Sequence, residues 1–423
     1  MPRYRSYFIA VLSFLAVFVV SVVLMNWLVD PLDVYRVVRK EGFNSIKSSY
    51  IPYARLAKPS QIERGHYQRL AIGSSRMLMG IPVANAAWIS AGGEPGFNAS
   101  IQGADLRQIR DLFEHAVVTG DLKSTGNVKS VLIDVDLFMF NAWVSSGDYP
   151  YPVATFSETE SRRFVRERDT TLNLLFSPGI TLASIETLRK QDLKKDKVMI
   201  DGTTNPAKEL SQVLEDGYEV RFRQFEDRMV RTGWSPCSDN RYDFSRGNAD
   251  KMQIFRDILQ IAKQHNVDVK FFISPVHVRL LEMIHAADLW DDYEVMKRKL
   301  VAEIAAVYGQ DINSVALWDF SGYHHYAQEA VPQQPDVPMQ WYLDSSHFSQ
   351  PLGHKMLDRM FAAPSAEQSF GVSLRPDNID AVLQMEREQQ AVWQADNAAL
   401  SRDLHKRTAA ILQDKKINGT VCK

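Results

Sequence analysis

Residues 7–29 read YFIAVLSFLAVFVVSVVLMNWLV, with no charged side chain and no polar face. An apolar run of this length, wound as a helix, matches the ~30 Å hydrocarbon core of a bilayer. Its unbroken hydrophobicity argues against a buried core helix. The run is long for the apolar region of a cleaved leader, and no small-x-small site follows it. Arg3 and Arg5 precede the run and Asp30 and Asp33 follow it, so the positive-inside bias leaves residues 1–6 in the cytoplasm. Trp27 falls where an interfacial aromatic is expected. The pattern predicts a single-pass signal anchor, a juxtamembrane segment over 30–67, and all later residues on the extracytoplasmic side.

From residue 68 the pattern changes to short apolar runs, bounded by turn residues, that alternate with helical periods. Residues 69–72 (RLAI) predict a first strand, and Pro95-Gly96-Phe97-Asn98 predicts a short second one leaving a turn. A helix is predicted over 104–118. Residues 128–135 (VKSVLIDV) form an almost uninterrupted β-branched run, as expected for a strand covered on both faces. An amphipathic helix over 248–265, a strand over 267–273 (VDVKFFI), a helix over 289–308 and a strand over 315–320 (VALWDF) complete the alternation. This order predicts an α/β domain over 68–365, with a central parallel sheet, helices on both faces and right-handed crossovers.

Two stretches fall outside the alternation. Residues 141–240 are rich in charges and aromatics, show helical patterns such as 180–193, and lack a strand run, so they are expected to form a helical insertion or lid. Residues 366–423 read as a polar helical tail. Trp393, Leu400, Leu404 and Ile411 form a sparse stripe there that favours docking on the main domain over a coiled coil.

Composition narrows the function classes. A formal net charge of −2 over 423 residues supplies no basic field for a phosphate backbone, so nucleic acid is not an expected partner. Cys237 and Cys422 are the two cysteines, in no metal-ligand spacing. One bridge between them is open in principle, but the polar terminus around Cys422 leads to the expectation that they stay unpaired. No Walker loop, Gly-x-Gly-x-x-Gly, Gly-x-Ser-x-Gly or His-Glu-x-x-His occurs, and neither a cofactor nor a metal is expected. The adjacent pair His324-His325 points in two directions and reads as surface or packing.

The chemistry lies in two distant motifs. Gly73-Ser74-Ser75-Arg76 follows the first strand, and Asp344-Ser345-Ser346-His347 comes near the end of the α/β domain. In an open parallel sheet, ligands bind outside the carboxyl ends of the strands, where a serine opening a helix can meet backbone N–H donors. Asp344 and His347, three residues apart, can share a face. The carboxylate can then hold one ring nitrogen and leave the other for a serine. Each motif alone is more often a turn or a cap, and the enzyme reading rests on their order and flanks together. His277, just past a strand end, and Arg76, able to meet an anionic substrate or a neighbouring acid, are candidate substrate contacts.

At these residues the chain resembles the SGNH/GDSL hydrolase superfamily. Ala71-Ile72-Gly73-Ser74-Ser75-Arg76 is similar to its nucleophile block, with Ser74 where an aspartate usually lies, so the resemblance makes Ser75 the nucleophile. Residues 97–105 (FNASIQGAD) resemble the second block and give Gly103 an oxyanion N–H and Asn98 a place beside the substrate. Asp344-Ser345-Ser346-His347-Phe348 resembles the last block, with Asp344 and His347 completing the triad. The third block departs from the pattern. The strand runs into Asp134-Val135-Asp136-Leu137-Phe138, with no Asn before Asn141, and a carboxylate there would repel an oxyanion.

The resemblance implies a flavodoxin-like three-layer α/β/α SGNH fold. It also implies kinship with the membrane-anchored branch that includes the D-alanyl transfer and alginate O-acetylation proteins. The expected protein is an inner-membrane, periplasm-facing serine esterase or O-acyltransferase. Its partners would be an acylated glycan or other envelope polymer and envelope biosynthesis proteins. The competing expectation is a catalytically inactive scaffold or carbohydrate-binding protein that kept the fold.

Overall fold

The computed structural model describes residues 2–65, 67–91, 93–94, 96–121, 128–145, 147–150, 152–191 and 198–422. Pro95 of the predicted second strand and Leu193 at the end of a predicted helix lie outside the described residues. The elements in chain order are α1 (Pro2–Val29), α2 (Ala54–Gly65), β1 (Arg69–Ile72), α3 (Ser75–Gly80), α4 (Ala86–Ser90), β2 (Phe97–Asn98), α5 (Leu106–Asp121) and β3 (Ser130–Val135). Then come α6 (Glu160–Phe176), α7 (Pro178–Arg189), α8 (Pro206–Asp216), α9 (Tyr218–Arg228), β4 (Ser245–Arg246), β5 (Ala249–Asp250), α10 (Lys251–Gln264) and β6 (Asp268–Ile273). The chain ends with α11 (Val278–Ala286), α12 (Trp290–Tyr308), β7 (Ala316–Asp319), α13 (Gln350–Met360), β8 (Val372–Leu374), α14 (Ile379–Asp396) and α15 (Ala398–Asn418).

The chain divides into two compact units, residues 1–65 with 149–200, and residues 66–148 with 201–423. The second unit is mixed α/β, built on a six-stranded sheet in the order β2-β1-β3-β6-β7-β8. The first five strands run parallel, and β8 joins the edge antiparallel to β7. β1 and β3 are buried along their whole length, which is why their sequences run apolar without alternation. Right-handed crossovers in this order put α3 and α4 on one face and α5, α10 and α12 on the other. The packing agrees, because α10 lies between α5 and α12 while α13 sits on α3 and α4. The pleat sends Phe271 toward Phe255 of α10, 4.9 Å between ring centroids, while Phe272 joins the opposite core with Ala71, Leu132, Met77 and Phe348.

The predicted insertion is divided between the units. Residues 201–240 stay with the sheet, and Val213, Tyr218 and Phe222 of α8 and α9 enter its core. The C-terminal tail is part of the same unit. It supplies β8, then α14 packs on α12 and α15 on α11. Trp393, Leu404 and Ile411 of the predicted stripe are buried, whereas Leu400 is exposed.

Contrary to the sequence expectation, Cys237 and Cys422 form a disulfide, with Cα atoms 5.3 Å apart. The polar terminus is not loose. Docking of α15 carries Thr420 alongside Cys237, where its carbonyl accepts the Ser238 N–H at 2.7 Å.

In the first unit, α1 is long and apolar enough to cross a membrane. Its side chains are exposed from Tyr4 to Ser21, and burial begins only over its last two turns. Those turns pack on α6 and α7. The carbonyls at the end of α1 are capped by side chains. Lys47 Nζ donates to the Val29 and Asp30 carbonyls at 3.0 and 2.7 Å, and Asn44 Nδ2 to those of Leu28 and Val29.

Candidate active site

The carboxyl end of β1 turns into α3 through Gly73 and Ser74, and this places Ser75 at the first helical position. Ser74 precedes the helix without capping it through its side chain. Both its N–H and its hydroxyl are taken instead by Asp134 near the end of β3, at 3.0 and 2.9 Å. Asp134 is wholly buried. Burial raises its pKa, against the two Ser74 hydrogen bonds and the nearby Arg76 charge. The close approach depends on Gly73, since a Cβ there would stand 1.7 Å from Asp134 Oδ1.

The second motif arrives on the loop between β7 and α13. Leu343 N–H donates to the His347 carbonyl, and Tyr342 bridges to Phe348, so residues 342–348 form a tight reversal. Within it, Asp344 Oδ1 accepts the N–H groups of Ser346 and His347, both at 2.8 Å. Asp344 Oδ2 lies 2.7 Å from His347 Nδ1, and His347 Nε2 lies 2.8 Å from Ser75 Oγ. With Nδ1–H donating to the carboxylate, Nε2 is left to accept the Ser75 hydroxyl proton. Burial works to raise the pKa of Asp344, but the His347 charge and hydrogen bond and the two backbone donors outweigh it. They hold the carboxyl below its usual range. Asp344 and His347 are buried while Ser75 is half-buried, so the hydroxyl is the accessible end of the chain.

The structure thus brings Ser75, Asp344 and His347 together across a sequence separation of 272 residues. Close packing beneath them fixes the approach. Gly353 lets α13 lie against α3, because a Cβ there would meet the Gly80 carbonyl oxygen at 1.8 Å.

Arg76, the next residue of α3, is buried and points into the protein. Its Nε donates to Ser346 Oγ at 2.6 Å, and its guanidinium pairs with Asp136. Burial pulls it down to about 10, with Asp134 opposing. Asn98 is also buried. Its Nδ2 donates to the Met77 carbonyl and its Oδ1 accepts the Ser100 N–H, so it braces α3 against the loop after β2. Gly103 is exposed in that loop at φ +66°, a left-handed position that suits glycine.

His277 is buried at the start of α11 with both ring nitrogens on backbone. Nδ1 accepts the Arg279 N–H at 3.2 Å, and Nε2 donates to the Glu329 carbonyl at 2.8 Å. Its own N–H donates to the Ser345 carbonyl, which ties the end of β6 to the loop carrying His347. His277 therefore positions that loop. His324 is half-buried, with its Nε2 against the Phe320 carbonyl, and His325 is exposed.

Sequence reasoning singled out Asp134 and Asp136 as carboxylates that would repel an oxyanion, but not the partners they take, nor Phe225 and the residues that hold α9. Phe225 of α9 stands edge-on to His347, 4.9 Å between ring centroids. α9 is in turn held by Arg279 of α11 and Arg407 of α15, which both pair with the fully buried Glu226. Ser346, Asp134 and Asp136 join the polar network through Arg76 and Ser74. Asn141 lies apart from it, with its amide on the carbonyls of Trp234 and Arg241. No protein-family model matches the chain, and no curated protein is significantly similar to it.

Proposed function

We propose that this chain is a membrane-anchored, SGNH-like serine esterase or O-acyltransferase whose sheet domain lies outside the cytoplasm. It would act on an acyl ester of a cell-envelope polymer or exopolysaccharide. The observation that carries the reading is the continuous hydrogen-bond chain Asp344–His347–Ser75, with its serine at the head of a helix after the first strand. The parallel strands β2-β1-β3-β6-β7 follow the 2-1-3-4-5 order of doubly wound, flavodoxin-like sheets, in which ligands bind outside the strands' carboxyl ends. The disulfide suits an oxidising compartment, and α1 suits an anchor.

In this reading Ser75 Oγ attacks the ester carbonyl carbon while its proton passes to His347 Nε2. Asp344 stabilises the resulting imidazolium and keeps the ring oriented. The tetrahedral oxyanion is received by the Ser75 N–H, at the open end of α3, and by the Gly103 N–H. Collapse breaks the ester C–O bond, and the leaving alkoxide takes the proton from His347. Water or a sugar hydroxyl then attacks the acyl-enzyme, giving hydrolysis or transfer.

The test is labelling of the full chain by a fluorophosphonate probe. Wild type is expected to label on Ser75, and Ser75→Ala and His347→Ala are expected to lose the label. A folded wild type that does not label, or equal labelling of Ser75→Ala, overturns the enzyme reading and leaves the inactive scaffold.

A further inference from the structure

Large apolar side chains are exposed unevenly over this molecule. Outside α1, twelve of them lie among the described residues of the first unit, against eight among those of the second unit, which is more than twice as long as the first. Most of the twelve belong to the hairpin of α6 and α7. On α6 they include Phe164, Leu172 and Phe176, and on α7 Leu182, Ile185 and Leu188. These positions fall on one side of each helix. The other sides carry Leu174, Ile180 and Ala183, which are buried. The hairpin thus has an inner apolar face that packs within its unit and an outer apolar face that no described residue of that unit covers. Phe164 and Leu182 are 67% and 66% exposed.

The position of this outer face relative to α1 is fixed by polar contacts. Asn26, buried in the last turn of α1, donates through Nδ2 to the Leu175 carbonyl at 2.8 Å and to Thr181 Oγ1 at 3.0 Å. Its Oδ1 accepts the Ser184 hydroxyl at 2.9 Å. Leu175 and Thr181 flank the hairpin turn, so the turn is held at the level of Asn26. Counting from Tyr7 at 1.5 Å per residue, Asn26 lies about 28 Å along the helix, close to the ~30 Å thickness of the hydrocarbon core. Continuous exposure of α1 ends at Ser21, about one turn before Asn26, although Leu24 and Trp27 beyond it are still exposed.

We infer that the outer face of the α6–α7 hairpin rests on the phospholipid surface from which α1 emerges, with Phe176 and Leu182 at the boundary between headgroups and acyl chains. The inference rests on the anchor reading of α1 and not on the catalytic one. A transmembrane helix alone would leave the first unit free to tilt and rotate above the bilayer. A second apolar contact, rigidly joined to the helix end through Asn26, fixes that unit's orientation. Exposed basic residues on the hairpin, Arg162 and Arg189, suit the phosphate level above such a face, while Arg168, between Phe164 and Leu172, is paired with Asp169 at 2.7 Å.

The test uses the full chain in phospholipid nanodiscs. Single cysteines carrying a nitroxide are placed at Leu172, Phe176 and Leu182 on the hairpin, at Val17 in α1, and at the exposed Val392 of α14. The native cysteines are paired in the disulfide and do not react. Accessibility to oxygen, which concentrates in lipid, is compared with accessibility to a water-soluble nickel chelate. The expected result is oxygen-dominated relaxation at Val17 and at all three hairpin positions, with nickel-dominated relaxation at Val392. Hairpin labels that follow Val392 while Val17 reports lipid would overturn the inference and leave the anchor standing. Hairpin labels shielded from both reagents and broadened by a neighbouring spin would mean that a second copy covers the face, and would also overturn it. A water-exposed Val17 would remove the anchor and this inference together.

Discussion

Gly73→Ala tests the most closely packed point of the candidate site. The added Cβ would lie 1.7 Å from Asp134 Oδ1, 2.7 Å from its Cγ and 3.0 Å from Met77 Cβ. Ordinary contact between such atoms begins near 3.4 Å, so the carboxyl must retreat by roughly 1.5 Å or more. The hydrogen bonds it accepts from Ser74, now 3.0 and 2.9 Å, would then exceed hydrogen-bonding range. Hydrogen bonds to a charged group are worth ~1.5–3 kcal/mol each, which puts the loss on the order of 3–6 kcal/mol. That is a large share of the ~5–15 kcal/mol by which domains are ordinarily stable.

Ser74 is also the residue from which α3 starts, so its displacement carries Ser75 with it. A shift of ~1 Å at a reacting group is enough for a ~100-fold loss of rate. The assay pairs urea unfolding of the full chain in detergent with the rate of fluorophosphonate labelling. Both should fall, and Asp134→Ala in the same chain should relieve the clash. The double variant should then be less destabilised than the sum of the singles by ~2 kcal/mol or more. A Gly73→Ala chain within ~1 kcal/mol of wild type, or strictly additive singles, would refute the reasoning from this contact.

Three further outcomes follow from buried polar groups. Lys297 is buried between Asp319 at 2.8 Å and Glu386 at 2.7 Å, so Lys297→Met should cost ~3–5 kcal/mol and free α14 to limited proteolysis. An uncut tail would count against it. Reducing the Cys237–Cys422 bridge opens a loop spanning 185 residues, for which chain entropy gives ~5 kcal/mol and typical measurements ~2–4 kcal/mol. A melting temperature unmoved by reductant would contradict this. Burial holds His277 down to about 4, below its unfolded value near 6.5, so the unfolded chain takes up the proton first and stability falls as pH drops from about 6.5 to about 4. His277→Asn keeps an acceptor for the Arg279 N–H and removes the titration. The loss of stability between pH 8 and pH 5 should shrink by ~2 kcal/mol, and an unchanged difference would exclude this role.

What could be read from the sequence divides along physical lines. β1, β3, β6 and β7 fall within two residues of their predicted ends, because strands buried on both faces must be continuously apolar. β8 gave no such signal, since Val372–Leu374 is a three-residue edge strand and partly exposed. The Asp344–His347 pair was legible because it is local, and Ser75 because it follows a clear strand. The partners of Arg76 and Ser74 were not. They lie 60 and 270 residues away, and polar contacts at such range leave no periodicity in the chain. The same holds for the first unit, where residues 149–200 join the N-terminal segment through contacts such as Arg166–Glu63 and Asn26–Thr181. The disulfide was misjudged because Cys422 was weighed by its polar neighbours. The buried Trp393, Leu404 and Ile411 were the better guide to where the tail goes.

The carboxylates at the end of β3 raised the main objection to an intact site, since an unpaired charge facing an oxyanion would repel it. That objection assumes the charges are unopposed. Asp136 faces the Arg76 guanidinium, and Asp134 is occupied by the Ser74 N–H and hydroxyl. Each carboxylate is answered by a residue adjacent to Ser75, on either side of it, and Arg76 also holds Ser346 of the loop that carries His347. Ser74 after the first strand and Asp134 near the end of β3 therefore answer one another across 60 residues. Because the buried Asp134 is satisfied only while Ser74 stays in place, the position of the nucleophile is tied to the electrostatic balance beneath it.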